Sequence, residues 1–371
     1  IIAGYEYRDE HCFKNVYLTG IVRDKIGRKM SKSLGNSPDP IELMEKYGAD
    51  GVRMGMLLTS PAGNDLPFDE VLCEQGRNFN NKIWNAFRLV KGWEIDDTIE
   101  QPEAAKIAIK WFDNKLSETI EEMDDLFSKY RLSEALMLLY KLFWDEFSSW
   151  YLELIKPAYQ KPIDRTTYQA TLSFFDALLR LLHPFMPFIT EELWQAIAPR
   201  KEDESIMIAL LPKAKEYNNQ FLSDIEHTKH IISSIRTIRL EKNIPNRDEL
   251  TLEILGNHNN AYDAAITKIA NLSAITLVSE KSVGAAPFMV GTTDFAVPLA
   301  DNIDVEAELE KMRADLKYQE GFLKSVQKKL SNERFVQNAK PEIVDNERKK
   351  LADAESKIAS LKESIESLGN R

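Results

Sequence analysis

The chain of 371 residues has few cysteines, no long apolar run and little glycine or proline. Two cysteines, Cys12 and Cys73, are too few for a disulfide framework or a four-thiolate zinc site, so a reducing compartment is the default. No run approaches the ~18 apolar residues of a membrane span. With 15 glycines and 15 prolines the chain is not fibrous or linker-like. It starts with Ile1 and no signal-like segment follows, so we expect a fragment of a longer protein.

The composition is that of a folded, soluble protein of two to three domains, with 43% apolar and 29% charged residues. The net charge of −11 argues against a nucleic-acid partner, but that acidity lies in the middle of the chain. Two local stretches are basic: residues 23–32 carry five cations against Asp24, and residues 317–350 carry nine against five acids. Local charge decides where a polyanion can bind.

The first 60 residues combine a predicted strand with a polar loop and a helix. Residues 13–20 alternate between apolar and polar, which predicts a buried edge strand. The loop that follows is rich in Gly, Ser, Pro and Lys. Asp39 as N-cap and Pro40 at the first helical position then predict a helix that ends at Gly48.

Most of the middle of the chain has the 3.6-residue period of packed helices, in residues 74–92 and 105–216. Two prolines interrupt the apolar run 178–194, so a helix must break there, and Thr190 suits the start of the next one. After a helix over 225–240 the pattern changes to short β-branched segments, which predict a small α/β unit with strands at 250–255, 274–278 and 294–299.

The last 71 residues contain two heptad stretches separated by Pro341. Their apolar positions are Val305, Leu309, Met312, Leu316, Leu323, Val326 and Leu330 in the first stretch, and Val344, Leu351, Ala354, Ile358, Leu361, Ile365 and Leu368 in the second. Gln319 and Glu347 are the polar exceptions in the apolar positions of the two stretches. Pairing the stretches antiparallel gives partners whose residue numbers sum to 673 or 674. We therefore predict an antiparallel coiled-coil hairpin with its tip near residues 334–340.

The sharpest chemical signal is the loop Lys29, Met30, Ser31, Lys32 and Ser33. Two lysines three residues apart, among hydroxyl side chains and near Gly27 and Gly35, suit the charge of a triphosphate. The alternative is a solvated basic loop, because short motifs recur by accident.

The string KMSKS resembles the signature of class I aminoacyl-tRNA synthetases, and its surroundings resemble the valyl, isoleucyl and leucyl branch. The matching segments are YGADGVRMGMLL (47–58), PAGNDLPFDE (61–70), RNFNNKIWNAFRLV (77–90), WYLELIKPAY (150–159) and HPFMPFITEELW (183–194). The phrase GNDLPF and the terminal segment FVQNAKPEIVDNERKKL resemble the valyl-tRNA synthetases specifically. An isoleucyl enzyme is expected to end in a cysteine-rich zinc module, which two cysteines cannot build.

The resemblance implies an enzyme that activates valine with ATP, as its Mg²⁺ complex, and transfers it to valine tRNA. Lys29 and Lys32 would be the catalytic lysines, and residues 29–33 would bind ATP. The family's His-Ile-Gly-His signature and its inserted editing domain are absent, so this fragment should neither charge tRNA nor proofread. No bound metal is expected, and we expect a cytoplasmic monomer without a membrane partner.

The resemblance also implies two tRNA-binding surfaces. One is the polar side of a helix in the anticodon-binding bundle, with Arg77, Asn78, Asn81, Lys82 and Asn85. The other is the hairpin, whose tRNA-binding candidates are Lys324, Lys328, Lys329, Arg334, Lys340, Arg348 and Lys349, with Lys350 beside them. The alternatives are a solvated helix face and a solubilising coiled-coil exterior.

Other candidate residues have structural interpretations. Trp144, Trp150 and Trp194 lie in apolar stripes and are expected in the core. His183 is expected to form a structural hydrogen bond. His227 and His230 have metal-compatible spacing without a third ligand, which favours a surface helix.

The predicted fold is mainly α and multidomain. It comprises the end of a class I Rossmann-type catalytic domain with the KMSKS loop (1–60), a helical anticodon-binding domain (61–216), a small α/β domain (217–300) and a coiled-coil tRNA-binding arm (301–371). A non-catalytic helical scaffold whose coiled coil binds another protein is the alternative from a different functional class. A scaffold would have no need of the signature loop.

Overall fold

The computed structural model describes residues 1–18, 20–58, 65–299, 305–332, 335–336 and 341–369, without the side chains of 305–311, 341–342 and 367–369. It is mainly helical and forms two units, Ile1–Asn218 and Asn219–Arg371. Among these residues, no helix is both long and apolar enough to cross a membrane.

The first unit begins with α1 (Ile2–Arg8), and a two-residue strand β1 (Val22–Arg23) pairs in parallel with β2 (Leu66–Pro67). Between the strands lie α2 (Pro40–Tyr47) and α3 (Ala49–Leu58). The predicted helix start is confirmed, because Asp39 accepts the Ile41 N–H at 2.7 Å and α2 begins at Pro40.

The strand predicted for residues 13–20 is wrong over its described residues, which form no strand and are exposed between 13 and 18. Alternation stabilises a strand only when a neighbouring strand supplies hydrogen-bond partners. No described residue outside this segment pairs with it.

Helices then form a bundle: α4 (Glu70–Lys91), α5 (Glu103–Ser128), α6 (Leu132–Lys141), a π-helical segment (Leu142–Tyr151), α7 (Leu152–Ile155), α8 (Arg165–Leu182) and α9 (Pro187–Ile197). Two short strands, β3 (Ile95–Asp96) and β4 (Ile163–Asp164), pair in parallel beside it. The bundle core is aromatic: Phe112, Phe143, Phe147 and Phe175 are fully buried, with neighbouring rings 5.2 to 5.9 Å apart. Edge and tilted ring contacts of this kind add to the stabilisation from buried apolar area.

The predicted helix break in residues 178–194 is confirmed, but the predicted new start at Thr190 is wrong. Helix α9 begins three residues earlier, at Pro187. Its capping acceptor is the buried carboxylate of Asp50 on α3, which accepts the N–H groups of Phe188 (3.3 Å) and Ile189 (2.7 Å). Thr190 instead donates its hydroxyl to the Met186 carbonyl at 2.7 Å.

The second unit contains α10 (Asn219–Glu241), β5 (Leu250–Leu255), α11 (Asp263–Ala270), β6 (Leu272–Val278), β7 (Ala286–Val290) and β8 (Thr293–Val297). The sheet order is β6-β5-β8-β7, with β5 and β6 parallel and the other pairs antiparallel. All three predicted strands are present, at slightly different bounds for β6 and β8. Strand β7 was not predicted from the sequence.

Two long helices follow, α12 (Val305–Leu330) and α13 (Pro341–Gly369), which we call the helical pair. Ion pairs join Lys329 to Glu347 (3.6 Å) and Glu320 to Lys362 (3.3 Å), so the two helices run antiparallel. Met312, Val326, Val344, Ala354 and Ile358, all at the heptad positions, are buried. Of the predicted tip, Arg334 and Lys340 lie outside the described residues.

Candidate functional site

The signature loop leaves strand β1 through a tight turn that Asp24 organises. The Met30 N–H donates to the Val22 carbonyl (3.2 Å), and the Asp24 N–H donates to the Arg28 carbonyl (2.9 Å). The Asp24 carboxylate accepts the Arg28 N–H at 2.8 Å and the Asn36 side-chain amide at 3.0 Å. The hydrogen bond from Asn36 and those from Arg28 lower the pKa of Asp24 to about 2, although burial opposes them.

Asn36 closes the other end of the loop. Its side-chain oxygen accepts the Ser31 N–H at 3.0 Å, and its amide also donates to the Lys29 carbonyl at 3.3 Å. The Ser31 hydroxyl accepts the Leu34 N–H at 3.3 Å, which caps a 3₁₀ turn that ends at Gly35 with a φ of 60°. Asp24 and Asn36 therefore anchor the backbone of the signature loop through hydrogen bonds to Arg28, Lys29 and Ser31. From the sequence, Asp24 is only a counter-charge and Asn36 has no assigned role.

Three of the five cations of residues 23–32 form ion pairs with nearby acids in the described part of the chain, and the two signature lysines do not. Arg23, Lys25 and Arg28 form ion pairs with Asp65, Asp69 (3.0 Å) and Asp24 (2.8 Å), respectively.

The two signature lysines, Lys29 and Lys32, are exposed, and neither forms an ion pair with any described residue. Met30 between them packs against an apolar cluster that includes Leu43 and Phe68. The loop thus presents two unpaired ammonium groups on an anchored backbone, an arrangement suited to a polyphosphate.

The five candidate tRNA-binding residues on the polar side of α4 differ in their exposure to solvent. Asn78, Asn81 and Asn85 are exposed, as the sequence predicts for a binding face. Arg77 is half-buried, forms an ion pair with Glu74 (3.1 Å) and lies 5.6 Å from the Tyr47 ring centre. Lys82 is also half-buried, with its ammonium 5.2 Å from the centre of the Trp144 ring.

A cleft of about 540 Å³, which sequence reasoning missed, lies at the C-terminal end of α4. Its wall combines Leu89 and residues 92–94 with the loop 156–161. In that loop Tyr159 is 89% exposed, and Gln160 adopts a φ of 59°, in the left-handed region that non-glycine residues rarely occupy. Exposed aromatic, amide and ammonium groups together are typical of sites that stack and hydrogen-bond unpaired bases. The sequence signal that could have pointed to this cleft is the segment WYLELIKPAY (150–159), which supplies part of its wall.

The cations of the helical pair also divide into paired and unpaired groups. Glu347, buried at a heptad position, binds Lys350 (2.8 Å) and Lys329 (3.6 Å), and Arg348 lies 3.3 Å from Asp345. The hydrogen bond from Lys350 is the main cause that lowers the pKa of Glu347. Among the tRNA-binding candidates of the helical pair, Lys324, Lys328 and Lys349 are exposed and form no ion pair with a described residue.

Two of the three tryptophans predicted for the core are only half-buried, namely Trp144 and Trp150. Both lie in the π-helical segment, where the wider turn changes the face on which successive side chains lie. Trp194 is buried, and its indole N–H donates to Asp176 at 2.8 Å.

The histidine interpretations hold. The Nδ1 atom of His183 lies 2.8 Å from the Thr190 hydroxyl, and burial is the main cause that lowers its pKa. His227 and His230 lie exposed on α10. No group of three or more His, Cys, Asp or Glu side chains in the described part of the chain could hold a metal ion.

Three family models match the chain. Residues 1–69 match the class I tRNA synthetases (I, L, M and V), residues 109–254 match the anticodon-binding domain of tRNA ligase, and residues 304–369 match the valyl tRNA synthetase tRNA binding arm.

Curated relatives match along almost the whole chain. A valine–tRNA ligase of Parabacteroides distasonis is 66% identical over 99% of this chain, and one of Fusobacterium nucleatum is 35% identical over 96%. This chain spans 42% of the length of each. Among solved structures, the LeuRS–tRNA–LeuAMS ternary complex of Agrobacterium radiobacter is similar at a TM-score of 0.38 and 20% identity, over 64% of this chain and 25% of that one.

Proposed function

Since this chain belongs to the valyl-tRNA synthetase family, we propose that it is the C-terminal portion of a cytoplasmic, monomeric valine–tRNA ligase. The whole enzyme would activate valine with ATP and transfer it to valine tRNA. The portion described above would bind tRNA without charging it.

The proposed division of labour follows the chain. Residues 1–60 complete a Rossmann-type catalytic domain, 61–216 form the anticodon-binding bundle, 217–300 form a small α/β domain, and 301–371 form an antiparallel coiled-coil arm. Matches to three separate family models support this order. The parallel pairing of β1 and β2 and the buried heptad positions of the helical pair are consistent with it.

The signature loop would act on ATP, bound as its Mg²⁺ complex. When the valine carboxylate attacks the α-phosphorus, negative charge grows on the pyrophosphate that leaves. Lys29 and Lys32, which no described acid neutralises, would stabilise that charge. Asp24 and Asn36 would hold the backbone that carries both lysines, so little reorganisation would be needed during the reaction.

Two surfaces would bind tRNA. The exposed amides of α4 and the neighbouring cleft with Tyr159 would contact unpaired anticodon bases by stacking and edge hydrogen bonds. The helical pair would contact backbone phosphates. One observation carries this proposal: in a chain of net charge −11, Lys324, Lys328 and Lys349 are exposed and free of ion pairs to described residues.

The test is the salt dependence of tRNA binding by the 371-residue chain. Replacement of Lys324, Lys328 and Lys349 by alanine should weaken binding. The slope of log K against log salt should become shallower by about 0.9 for each phosphate that the variant no longer neutralises.

The control replaces three exposed lysines elsewhere by alanine, Lys141, Lys201 and Lys213, with the same change of net charge. Equal losses of affinity in the two triple variants would show that only net charge matters and would overturn the proposed role of the helical pair.

A further inference from the structure

A largely shielded triangle of polar side chains joins the sheet of the second unit to helix α13. The Lys281 ammonium, on the loop after β6, lies 2.6 Å from Asp294 Oδ2 on β8 and donates to the Ser360 hydroxyl of α13 at 2.7 Å. The Ser360 hydroxyl in turn donates to Asp294 Oδ1 at 3.1 Å. Each of the three side chains therefore bonds to both of the others.

The triangle is shielded from solvent and is itself held in place. The Lys281 and Asp294 side chains are 8% and 17% exposed, and Ser360 is 6% exposed. The loop that carries Lys281 is fixed by buried Glu253 on β5, which accepts the Ser282 N–H at 2.9 Å and the Ser282 hydroxyl. A buried ion pair adds little net stability because both charges lose hydration, and a better-attested use of such pairs is to select one geometry.

The geometry selected here is the direction in which helix α13 extends away from the sheet. From Ser360 to the outer end of α13 at residue 341 there are 19 residues, or about 28 Å at 1.5 Å each. A rotation of about 10° at the triangle would displace that end by about 5 Å, well beyond the tolerance of a hydrogen bond. If the angle of the helical pair were not fixed, tRNA binding would have to restrict it. The conformational entropy lost in that step would weaken binding.

We propose that Lys281, Asp294 and Ser360 are positioning residues that set the angle of the helical pair against the sheet, so that its unpaired cations meet the tRNA backbone together. This inference rests on the proposed role of the helical pair in tRNA binding. None of the three residues needs to touch tRNA.

The decisive variant is Ser360→Ala in the 371-residue chain. It removes the bonds from α13 but leaves net charge and the ion pair between Lys281 and Asp294 intact. Ser356→Ala, one turn nearer the outer end of the same helix and without a hydrogen bond of its own among the described residues, is the matched control.

Two readouts are measured on each variant. Spin labels at cysteines introduced at Ala274 on β6 and Ala352 on α13, in a Cys12→Ser background, report the distribution of distances between sheet and helix. Filter binding at several salt concentrations reports tRNA affinity.

We expect Ser360→Ala to broaden the distance distribution and to lower tRNA affinity about threefold to tenfold, with a smaller salt slope, while Ser356→Ala matches the parent. A second variant, Lys281→Met, should act in the same direction, with Lys357→Met on α13 as its control for lost charge.

An unchanged distance distribution in both triangle variants would overturn the inference. Broadening without loss of affinity would overturn it as well, because the angle would then not matter for binding. Failure of the proposed function is distinguishable, since in that case the alanine variants of Lys324, Lys328 and Lys349 would also leave tRNA affinity unchanged.

Discussion

Replacement of Asp50 by alanine should lower the free energy of unfolding of the first unit, because it leaves two backbone N–H groups without their acceptor. Asp50 is 4% exposed, and its carboxylate accepts two N–H groups at the start of α9. Loss of an N-cap acceptor costs about 1 to 2 kcal/mol, and a buried donor left without a partner adds about 1 to 3 kcal/mol. We therefore expect a loss of about 2 to 5 kcal/mol.

Asp50→Asn should be much milder, because the amide oxygen can still accept a hydrogen bond. Burial is the main cause that raises the pKa of Asp50 above 3.8, because the charged carboxylate loses hydration there and is destabilised. The folded state then binds this proton more tightly than the unfolded state. The stability of the parent relative to Asp50→Asn should thus decline as pH rises from 3.8 through the raised pKa.

The assay is urea unfolding followed by tryptophan fluorescence. All six tryptophans lie between residues 84 and 194, so this signal reports the first unit alone. Asp124→Ala, at an exposed position of α5, is the control and should leave stability unchanged or slightly raised, because alanine favours helix. The capping role of Asp50 is refuted if Asp50→Ala lies within 0.5 kcal/mol of the parent, about the spread of ordinary surface substitutions, or if Asp50→Asn is equally destabilising.

Three further predictions concern a helix crossing, a turn and a lysine. Gly76→Ala should destabilise the first unit by about 2 kcal/mol, since its Cβ would lie 2.4 Å from the Gly51 carbonyl oxygen; urea unfolding checks this, and a neutral result contradicts the close helix crossing. Because the pKa of Asp24 is lowered to about 2, its stabilisation of the loop should be complete above pH 4 and lost as pH falls through 2. Amide hydrogen exchange of residues 24–36, corrected for intrinsic rates, should show this loss of protection. Protection that does not depend on pH would contradict it. In the full-length parent, Lys32→Ala should lower ATP–pyrophosphate exchange about 100-fold or more while tRNA affinity is unchanged, whereas Lys25→Ala should have little effect; equal losses of exchange and tRNA affinity would contradict the ATP role.

Local signals in the sequence predicted local structure well. The start of α2 follows from Asp39 and Pro40 alone, because an N-cap bonds to groups two or three residues away. The heptad spacing marked Met312, Val326, Val344, Ala354 and Ile358 as buried for the same reason, since a regular helix repeats its own geometry, but it did not mark Ser360, which is buried.

Features that depend on distant partners could not be predicted from the sequence. The cap of α9 comes from Asp50, more than 130 residues earlier, and the segment 13–20 alternates like a strand but has no strand beside its described residues. At the candidate site, the lysines of the signature loop stood out by type and spacing. Their distinction from Arg23 and Lys25 needed the positions of Asp65 and Asp69, which only the fold supplies.

The most direct test of the central claim is equilibrium binding of this chain to valine tRNA and to isoleucine tRNA at several salt concentrations. We predict tighter binding of valine tRNA, lost when its anticodon is changed, with affinity that falls as salt rises. Equal binding of both tRNAs would contradict recognition by the bundle, and no binding at low salt would contradict a tRNA-binding function altogether.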